Sequence, residues 1–459
     1  MTPAGSPGGL VRAPADGAPA AALLVVAAVA LGTASQIGSL RYRPFAMLAL
    51  TLALLATVLA VAMPRARDTW SAGRLERAAR WLLGAGLFWQ LALLAIYPPG
   101  GLGRPGTALF LAGLAVAAVV LAAELGGLRW LGPVRLPLLL TAHVVLGAAT
   151  IIATPGPGID VHTFHVEALR ALGQGINPYA ITMPDIYGPT PFYGAGVVAD
   201  GRVQAGFIYP PLSLLFSGAG HVLAGDYRVA NLAALAGAGA LLATGRPGSL
   251  AAAALVLFTP RAFHVLGFGW TEPYLVLLLA LTVWCASRAR GWLPLALGLL
   301  FAAKQYTFLV APLVLLLHPG PTRWRDTAHT LLVATGVAAA VTLPLAVADP
   351  AAFVHSVVGF HLRQPFRADA LAYPAWWEAV TGGSRVTWLG WALLPPTIAF
   401  ALRRAPATPA GFAAAVALTF LVFFAFGQQA FANYYVFVIG ALGCALAATP
   451  PGVPAPAES

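Results

Sequence analysis

Apolar segments of about 15 to 20 residues recur from Ala20 to Ala448, separated by shorter polar or glycine- and proline-rich connections. A helix of about 20 apolar residues crosses the hydrocarbon core of a bilayer, where only helices and closed barrels satisfy the backbone. The pattern therefore predicts an all-α, polytopic transmembrane protein with about 13 to 14 helices. The first four helices are predicted near residues 20–40, 44–63, 81–97 and 107–123.

The composition of the chain excludes a soluble domain. Of the 459 residues, 59% are hydrophobic and 9% are charged, whereas about 25% are charged in an ordinary soluble domain. The formal net charge is +11, but the basic residues are scattered in short connections instead of forming one patch. No nucleic-acid partner is therefore expected, and membrane lipids surround the chain.

Basic residues concentrate in alternate connections, which the positive-inside rule places in the cytoplasm. They are Arg65, Arg67, Arg74, Arg77, Arg80, Arg129, Arg135, Arg288, Arg290, Arg323, Arg325, Arg403 and Arg404. The two longest polar segments, 154–208 and 349–384, then become outer loops of a multi-pass plasma-membrane protein. Arg41 and Arg43 depart from this alternation. The alternation holds only if one of the three apolar stretches between residues 209 and 266 does not cross the membrane. The 209–224 stretch is therefore predicted to lie in the interface, which places Arg246 inside.

The chain is predicted to have four parts. Residues 1–19 form a cytoplasmic tail, 20–134 form accessory transmembrane helices with almost no internal charge, and 450–459 form a disordered tail. Residues 135–449 form a transmembrane module whose ionisable and aromatic residues cluster at the outer ends of its apolar runs. Chemistry is therefore expected in this module and its outer loops.

Asp160 lies just beyond a predicted membrane helix, at the start of a short helical segment that extends to residue 172. Its carboxylate either projects into bulk water or acts as a general base whose basicity is raised by low-dielectric surroundings. His162 and His165 share one face of this segment and are candidate substrate contacts. They also suggest a metal pair, but no further ligand follows at a recognisable spacing, so no metal is expected.

Asn177, Tyr179 and Tyr209 each have two interpretations. The first two lie in a turn that glycine, asparagine and proline explain, and Tyr209 precedes two prolines, as interfacial anchors do. All three are also candidate substrate-binding residues.

Glu272 and Lys304 are charged residues at the edges of apolar runs. A charge deep in such a run costs about 2.5 to 3.5 kcal/mol, which indicates that Glu272 lies at the interface and is used. Lys304 is the single lysine of the chain and is followed by Gln305. It either snorkels to water or binds a lipid-linked phosphate, and the second interpretation makes both residues candidate substrate contacts.

The second outer loop and the last apolar run supply further polar candidates. Arginine and histidine can neutralise a phosphate and aromatic faces can stack on sugar rings, but both also occur among lipid headgroups. The candidates are His361, Arg363, Gln364, Arg367, Gln429, Asn433 and Tyr434.

Taken in order, several pieces make residues 136–448 similar to the GT-C superfamily of membrane glycosyltransferases. They are Asp160, INPYA, IYPPLSLL, WTEP, KQYTFLVAPL and the terminal NYY. The likeness is greatest to family 87 and related polyprenol-phosphate-mannose-dependent mannosyltransferases. It implies a polyprenyl-phosphate sugar as donor, a lipid or glycan acceptor at the outer face, and no further cofactor.

The same resemblance implies roles for individual residues. Asp160 would be the catalytic base and Glu272 the second acidic position of the fold. Lys304, His361 and the loop arginines would hold the leaving phosphate. The chain departs from the family pattern because several helices precede Asp160, which an N-terminal extension explains.

Two functions stay open at this point. The first is an inverting glycosyltransferase, and mannose is the sugar that the resemblance favours. The second is a transporter or a lipid or glycan flippase, which would place ionisable groups near the membrane midplane, often in paired halves. The ionisable residues lie at the outer edge and no inverted repeat is visible, which favours the transferase.

Overall fold

The computed structural model describes residues 18–38, 44–63, 72–190, 192–244 and 248–449. Helices account for nearly all regular structure in these ranges, so the predicted all-α, polytopic fold class is confirmed. The chain before residue 18 and after residue 449 lies outside the described residues. So do five arginines used in the topology prediction, which are Arg41, Arg43, Arg65, Arg67 and Arg246.

The first four helices lie near their predicted positions, except that α3 begins at Ala72, nine residues before its predicted start. They are α1 Ala18–Ile37, α2 Pro44–Ala62, α3 Ala72–Ile96 and α4 Gly103–Leu125. A 3₁₀ helix, Arg129–Val134, leads into α5 Arg135–Ile152. The amphipathic helix α6, Asp160–Gly173, begins and ends within one residue of its prediction, and Gly175 follows it with φ +71°.

The remaining helices are shorter on average, and six of them have a proline at their first or second position, where its fixed φ suits a helical turn. They are α7 Pro211–Ala224, α8 Arg228–Leu242, α9 Ser249–Leu257, α10 Ala262–Phe268, α11 Glu272–Arg288, α12 Leu293–Phe301, α13 Arg323–Ala346, α14 Pro350–Val354, α15 Phe360–Leu362, α16 Tyr373–Thr381, α17 Leu389–Arg404, α18 Pro409–Ala425 and α19 Ala432–Ala448. Two 3₁₀ helices, Arg290–Trp292 and Gln305–Leu317, and a π-helical turn, His355–Gly359, lie between them.

Within the described residues, five helices are long and apolar enough to cross a membrane. They are Pro19–Ile37, Pro44–Ala62, Gly103–Leu125, Leu131–Ile152 and Arg323–Ala346. Helices α9 and α10 form a sixth candidate that is bent by 48°. The bend lies at Pro260, which lacks the N–H that a continuous helix needs. Other apolar helices have 10 to 17 residues, so the larger predicted number of spans stays a prediction.

One hydrophobic core runs through the bundle. Helix α1 packs against α2, α3 and α19, while α11 packs against α8 and α19. Buried side chains of this core include Leu31 of α1, Leu139 of α5 and Phe420 of α18. The described residues therefore share a core on both sides of residue 134, and the division into accessory and working parts stays a prediction.

The two predicted outer loops pack together at one end of the bundle. Segment 154–208 holds α6 and a small antiparallel sheet with strand order β1-β3-β2. Its strands are β1 Met183–Pro184, β2 Val198–Ala199 and β3 Arg202–Val203. A second apolar cluster joins Phe164 and Phe207 of this segment to Val357 and Phe360. We call segments 154–208 and 350–362 the loop unit.

Candidate active site

Asp160 is the first residue of α6 and lies eight positions after α5 ends at Ile152. Its Oδ1 accepts the N–H of Val161 at 2.8 Å, and its own N–H donates to the hydroxyl of Tyr187 at 3.1 Å. The side chain is half-buried. A carboxylate at a helix N-terminus is stabilised by the helix dipole, so α6 holds this group in place.

Burial raises the pKa of the Asp160 carboxyl group above its usual value. The amide of Val161, the hydroxyl of Tyr187 and the charge of Arg367 act in the opposite direction, but burial has the larger effect. A carboxylate with a raised pKa is a stronger base, which favours proton abstraction from a hydroxyl group.

Glu272 and Lys304 form a buried ion pair. The Nζ of Lys304 lies 2.5 Å from Oε1 of Glu272, and the two side chains are 5% and 0% exposed. Lys304 also donates to Oγ1 of Thr271 at 3.3 Å, and the hydroxyl of Tyr306 donates to the same Oε1 at 3.2 Å. The pair arises because α11 begins at Glu272, while Lys304 lies in extended backbone just before the 3₁₀ helix.

Three aromatic rings surround the ammonium group of Lys304. Its Nζ lies 4.8 Å from the ring centre of Tyr209, 5.5 Å from that of Tyr306 and 5.7 Å from that of Tyr434. These distances fall within the range of cation–π attraction. The rings therefore stabilise the charge while shielding it from water.

Two acceptors in this region have no hydrogen-bond partner. They are the Oε2 of Glu272 and the Oδ1 of Asn433, both buried. An ammonium group has three donors, and Lys304 directs two of them at Glu272 and Thr271. The site thus has both donor and acceptor capacity that the protein itself does not use.

Tyr209 and Tyr434 each lie near both acids. Both tyrosines are within electrostatic reach of the Asp160 and the Glu272 carboxylates. We call Asp160, Tyr209, Glu272, Lys304 and Tyr434 the acid cluster. The structure therefore brings together residues that are separated by as many as 274 positions, from Asp160 to Tyr434, in the sequence.

Other predicted contact residues hold the backbone that carries Tyr209. The Nε2 of Gln305 donates to the carbonyl oxygen of Ile208 at 2.6 Å and to that of Val357 at 2.9 Å. His361 bonds the same Ile208 oxygen at 3.0 Å, and burial lowers the pKa of His361 to about 4. These side chains join the two parts of the loop unit, and His361 is neutral at pH 7.

Asn177 and Tyr179 also hold the backbone segment that carries Tyr209. The hydroxyl of Tyr179 donates to the carbonyl oxygen of Tyr209 at 2.8 Å. Asn177 Oδ1 accepts the N–H of Tyr179 at 3.0 Å, and its Nδ2 lies 3.5 Å from the carbonyl oxygen of Leu345. The turn interpretation of these residues agrees with this geometry.

The two histidines of α6 pack against Tyr227. The ring of His165 is stacked on it at 4.7 Å, and the ring of His162 lies at 5.5 Å. Nδ1 of His165 donates to the carbonyl oxygen of Val161 at 2.7 Å, and burial lowers the pKa of His165 to about 4. In the described part of the chain, no three His, Cys, Asp or Glu side chains converge as a metal site would require.

Arg367 reaches the cluster from the second loop. Its Nε and Nη2 each donate to Asp369 at 2.8 Å, and its guanidinium lies 4.1 Å from the ring centre of Phe192. The carbonyl oxygen of Gln428 accepts its backbone N–H at 3.1 Å. These contacts fix the position of Arg367, and its positive charge acts to lower the pKa of Asp160.

The last predicted candidates lie around this arginine. Gln429 donates to the carbonyl oxygen of Pro365 at 2.8 Å, and Gln364 accepts from Gln428 through its own carbonyl oxygen at 3.2 Å. Arg363 is exposed, in contrast to Arg367. The structure therefore places Arg363 at the rim and the glutamines in the backbone support.

The sequence pattern missed three functional neighbours. Tyr187 lies in a loop without periodicity, and Asp369 follows Arg367 by two residues. The third is the ion pair between Arg228 Nη2 and Asp226 Oδ2, at 2.6 Å. Arg228 is 2% exposed and also donates to the carbonyl oxygens of Thr154 and Gly267. The position of Arg228 at the edge of an apolar run is the sequence feature that could have identified it.

Comparisons with known proteins give one structural likeness. No protein-family model matches the chain, and no curated protein matches it. The fold is similar to the crystal structure of ArnT from Cupriavidus metallidurans bound to undecaprenyl phosphate, with a TM-score of 0.42 and 18% sequence identity. The match covers 68% of this chain and 60% of the ArnT chain, so the chain spans less than two thirds of ArnT.

Proposed function

We propose that this protein is a membrane glycosyltransferase of the GT-C type that takes its sugar from a polyprenyl-phosphate donor. The observation that carries the proposal is the acid cluster. A half-buried carboxylate of raised pKa shares one polar region with a buried cation, where helix ends meet the loop unit. Catalysis of glycosyl transfer to a hydroxyl group requires a base and a stabilised leaving phosphate.

Asp160 is the base in this mechanism. The acceptor hydroxyl gives its proton to the Asp160 carboxylate while its oxygen attacks the anomeric carbon of the sugar. The bond from that carbon to the phosphate oxygen breaks, and the polyprenyl phosphate leaves with the electron pair. Attack opposite to the leaving group inverts the configuration, and the proton then passes from Asp160 to water.

Positively charged side chains, both buried and at the rim, are suited to binding the leaving phosphate. Lys304 has one donor left beyond its bonds to Glu272 and Thr271. Arg367 lies close enough to act on Asp160, and Arg363 is exposed at the rim. His361 contributes as a neutral hydrogen-bonding ring, since the low pKa of about 4 removes its charge at pH 7.

The sugar is expected between the tyrosine rings and the unused acceptors. Tyrosine faces pack against sugar rings, and Glu272 Oε2 and Asn433 Oδ1 can each accept a hydrogen bond from a sugar hydroxyl group. The sequence resemblance makes mannose the first candidate. The acceptor, a lipid or a glycan, enters from the side of the exposed Arg363.

The active face is proposed to be the outer face of the plasma membrane. Arg288 and Arg290 lie at the end of α11 opposite to Glu272, and Arg403 and Arg404 end α17. The positive-inside rule favours a cytoplasmic position for these ends, which supports an outer position for the acid cluster.

The experiment measures transfer of labelled sugar from polyprenyl-phosphate mannose in membranes that contain the wild type, Asp160→Asn or Glu167→Gln. Glu167 is a matched control because it lies on the same helix and pairs with Arg170 at the surface. We expect transfer by the wild type and Glu167→Gln, and a loss of about a hundredfold or more in Asp160→Asn. Transfer by Asp160→Asn at the wild-type rate would remove Asp160 as the base.

A transporter or flippase is the second candidate, and the bent pair α9–α10 favours it. Broken helices and buried ion pairs such as Glu272–Lys304 occur in transporters. Proteoliposomes distinguish the two functions. If labelled polyprenyl-phosphate sugar crosses the bilayer without any transfer to acceptors, and equally so in Asp160→Asn, the transport function is supported and the transferase is rejected.

A further inference from the structure

A polar cavity lies between the N-terminal helices and the break that separates α9 from α10. Its volume is about 400 Å³, and its lining includes Gln36, Tyr97, Gly100, Arg261, Phe263 and His264. This volume lies within the range of small-molecule pockets, which is about 300 to 1,000 Å³. None of these residues belongs to the acid cluster, so the cavity is a separate place in the fold.

The cavity is at the same end of the bundle as the loop unit. Gln36 lies at the end of α1, and Tyr97 follows the end of α3. A Cβ atom added at Gly101, in the connection after α3, would meet the carbonyl oxygen of Ala153 at the end of α5. Helix ends at this level of a membrane protein face the lipid headgroups.

Aromatic rings continue from the cavity lining towards the loop unit. The ring of His264 lies 4.2 Å from that of Phe268 and 5.6 Å from that of Trp270. Trp270 packs against both the helical core and the apolar cluster of the loop unit. Asp160 is not among the lining residues, so a ligand in the cavity would contact a different part of the protein.

Arg261 gives the cavity its charge. It has φ +70°, and a left-handed conformation is uncommon for a residue other than glycine. Such strain persists where the surrounding structure enforces it and is concentrated at functional sites. The conformation places the guanidinium in the cavity, where its Nη2 lies 3.5 Å from the carbonyl oxygen of Gln36.

The rest of the lining suits an anion attached to an apolar body. Tyr97, Gln36 and His264 supply hydrogen-bonding groups, and no carboxylate lies among the lining residues, all of which belong to the described chain. Phe263 and the prolines after Tyr97 supply apolar walls. Guanidinium groups bind phosphate oxygens through two parallel N–H donors.

We propose that this cavity binds the phosphate group of a lipid, with Arg261 as its principal contact. The site is distinct from the proposed donor site and does not depend on glycosyl transfer. It joins the ends of α1 and α3 to the helix break beside Trp270. The shared chemistry is a phosphate, which either a phospholipid headgroup or free phosphate in water can provide.

Gly100 is a position at the cavity lining where a side chain can be added without disturbing the fold. It lines the cavity, its φ lies outside the left-handed region, and a Cβ atom built on it meets nothing within 4 Å. Gly291 also has no neighbour within 4 Å of such an atom, but it is exposed and remote from the cavity. Gly100→Leu and Gly291→Leu are therefore matched variants.

The test is native mass spectrometry of the purified full-length protein in detergent, titrated with dioctanoyl phosphatidate. We expect saturable binding by the wild type, Gly291→Leu and Asp160→Asn, and about tenfold or greater weakening in both Arg261→Asn and Gly100→Leu. Asparagine tolerates the left-handed conformation, so Arg261→Asn removes the charge with little added strain. Gly100→Leu tests the cavity while leaving Arg261 in place.

Two further probes identify what is recognised. Dioctanoylglycerol, which lacks the phosphate, is expected to bind at least about tenfold more weakly than the phosphatidate. Inorganic phosphate that displaces the phosphatidate shows that the phosphate alone is sufficient, whereas failure to displace it shows that the lipid body is needed. Equal phosphatidate binding by the wild type, Arg261→Asn and Gly100→Leu would overturn the proposal, as would equal binding of dioctanoylglycerol.

Discussion

Asp160 and Glu272 occupy the same position in their helices but have different environments in the structure. Each is the first residue of a helix, and each lies at the loop end of the bundle. Asp160 is half-buried and accepts a hydrogen bond from a backbone amide, whereas Glu272 is fully buried and paired with Lys304. One acid can therefore take up a proton, and the other is committed to holding a cation.

The difference comes from the elements that pack beside each acid. Asp160 lies in the loop unit, where the hydroxyl of Tyr187 accepts its backbone N–H. Glu272 faces the extended residue Lys304, which α12 delivers to the same depth in the bundle. Two acidic residues that each begin a helix thus differ in their chemistry because different elements pack beside them.

The largest expected effect on stability is that of breaking the buried pair. Glu272→Gln leaves the charge of Lys304 without a counter-ion in a site that is 5% exposed. Removing one partner of a buried pair costs about 3 to 5 kcal/mol. We expect the free energy of unfolding, measured by detergent denaturation in mixed micelles, to fall by that amount.

Two variants control this measurement. Glu167→Gln removes a carboxylate whose partner Arg170 is exposed, and it should change the free energy of unfolding by less than about 1 kcal/mol. The double variant Glu272→Gln with Lys304→Met removes both charges and should recover much of the loss. Equal stability of Glu272→Gln and Glu167→Gln would show that the pair is not buried as described.

A smaller loss of stability is expected when the loop unit is released from the helices. Gln305 donates to two carbonyl oxygens, those of Ile208 and Val357, and Gln305→Leu leaves both without this donor. Such a loss costs about 1 to 3 kcal/mol in the free energy of unfolding. Thermal unfolding of purified protein measures it, with the exposed Gln174→Leu as the control, and equal melting of the two variants would contradict the assigned role.

The sequence was informative about which residues are unusual and uninformative about what they contact. Charges at the edges of apolar runs are costly, so Asp160, Glu272 and Lys304 stand out without any structure. The pairing of Glu272 with Lys304 depends on how α11 packs beside α12, which no local pattern encodes. The α6 boundaries could be predicted because they depend on local sequence features, which are the helical periodicity and the glycine turn.

Other parts of the site were beyond the sequence. Tyr187 acts on Asp160 from 27 positions away, across α6 and the loop that follows it, and this loop has no periodic signal. Gln305 and His361 were predicted as substrate contacts, yet both bond the carbonyl oxygen of Ile208. An amide or imidazole suits a ligand and a backbone carbonyl equally well, so only the fold distinguishes these uses.

The smallest expected effect is a change in the pH dependence of transfer. In the proposed mechanism Asp160 must be ionised to accept the proton, so kcat/KM should fall as the pH drops through the Asp160 pKa, which burial raises above its usual value. The hydroxyl of Tyr187 lowers the Asp160 pKa, so its removal in Tyr187→Phe should raise that pKa further. We expect the acidic limb of the pH–rate profile to move to higher pH.

Tyr193→Phe is the matched control for this profile. Tyr193 lies in the same loop, with its ring 5.5 Å from that of Tyr187, but the amide of Asp160 bonds Tyr187. Its profile should follow that of the wild type. A shift of the acidic limb to lower pH in Tyr187→Phe, or equal shifts in both variants, would show that Tyr187 does not act on Asp160 as inferred.

The most direct test of the account is the single-turnover rate of sugar transfer with the labelled polyprenyl-phosphate donor already bound. This measurement separates the chemical step from substrate binding. Asp160→Asn should lower that rate by about a hundredfold or more while donor binding stays within about threefold of the wild type. If Asp160→Asn keeps the wild-type rate, Asp160 is not the base, and the distinction drawn between the two acids is wrong.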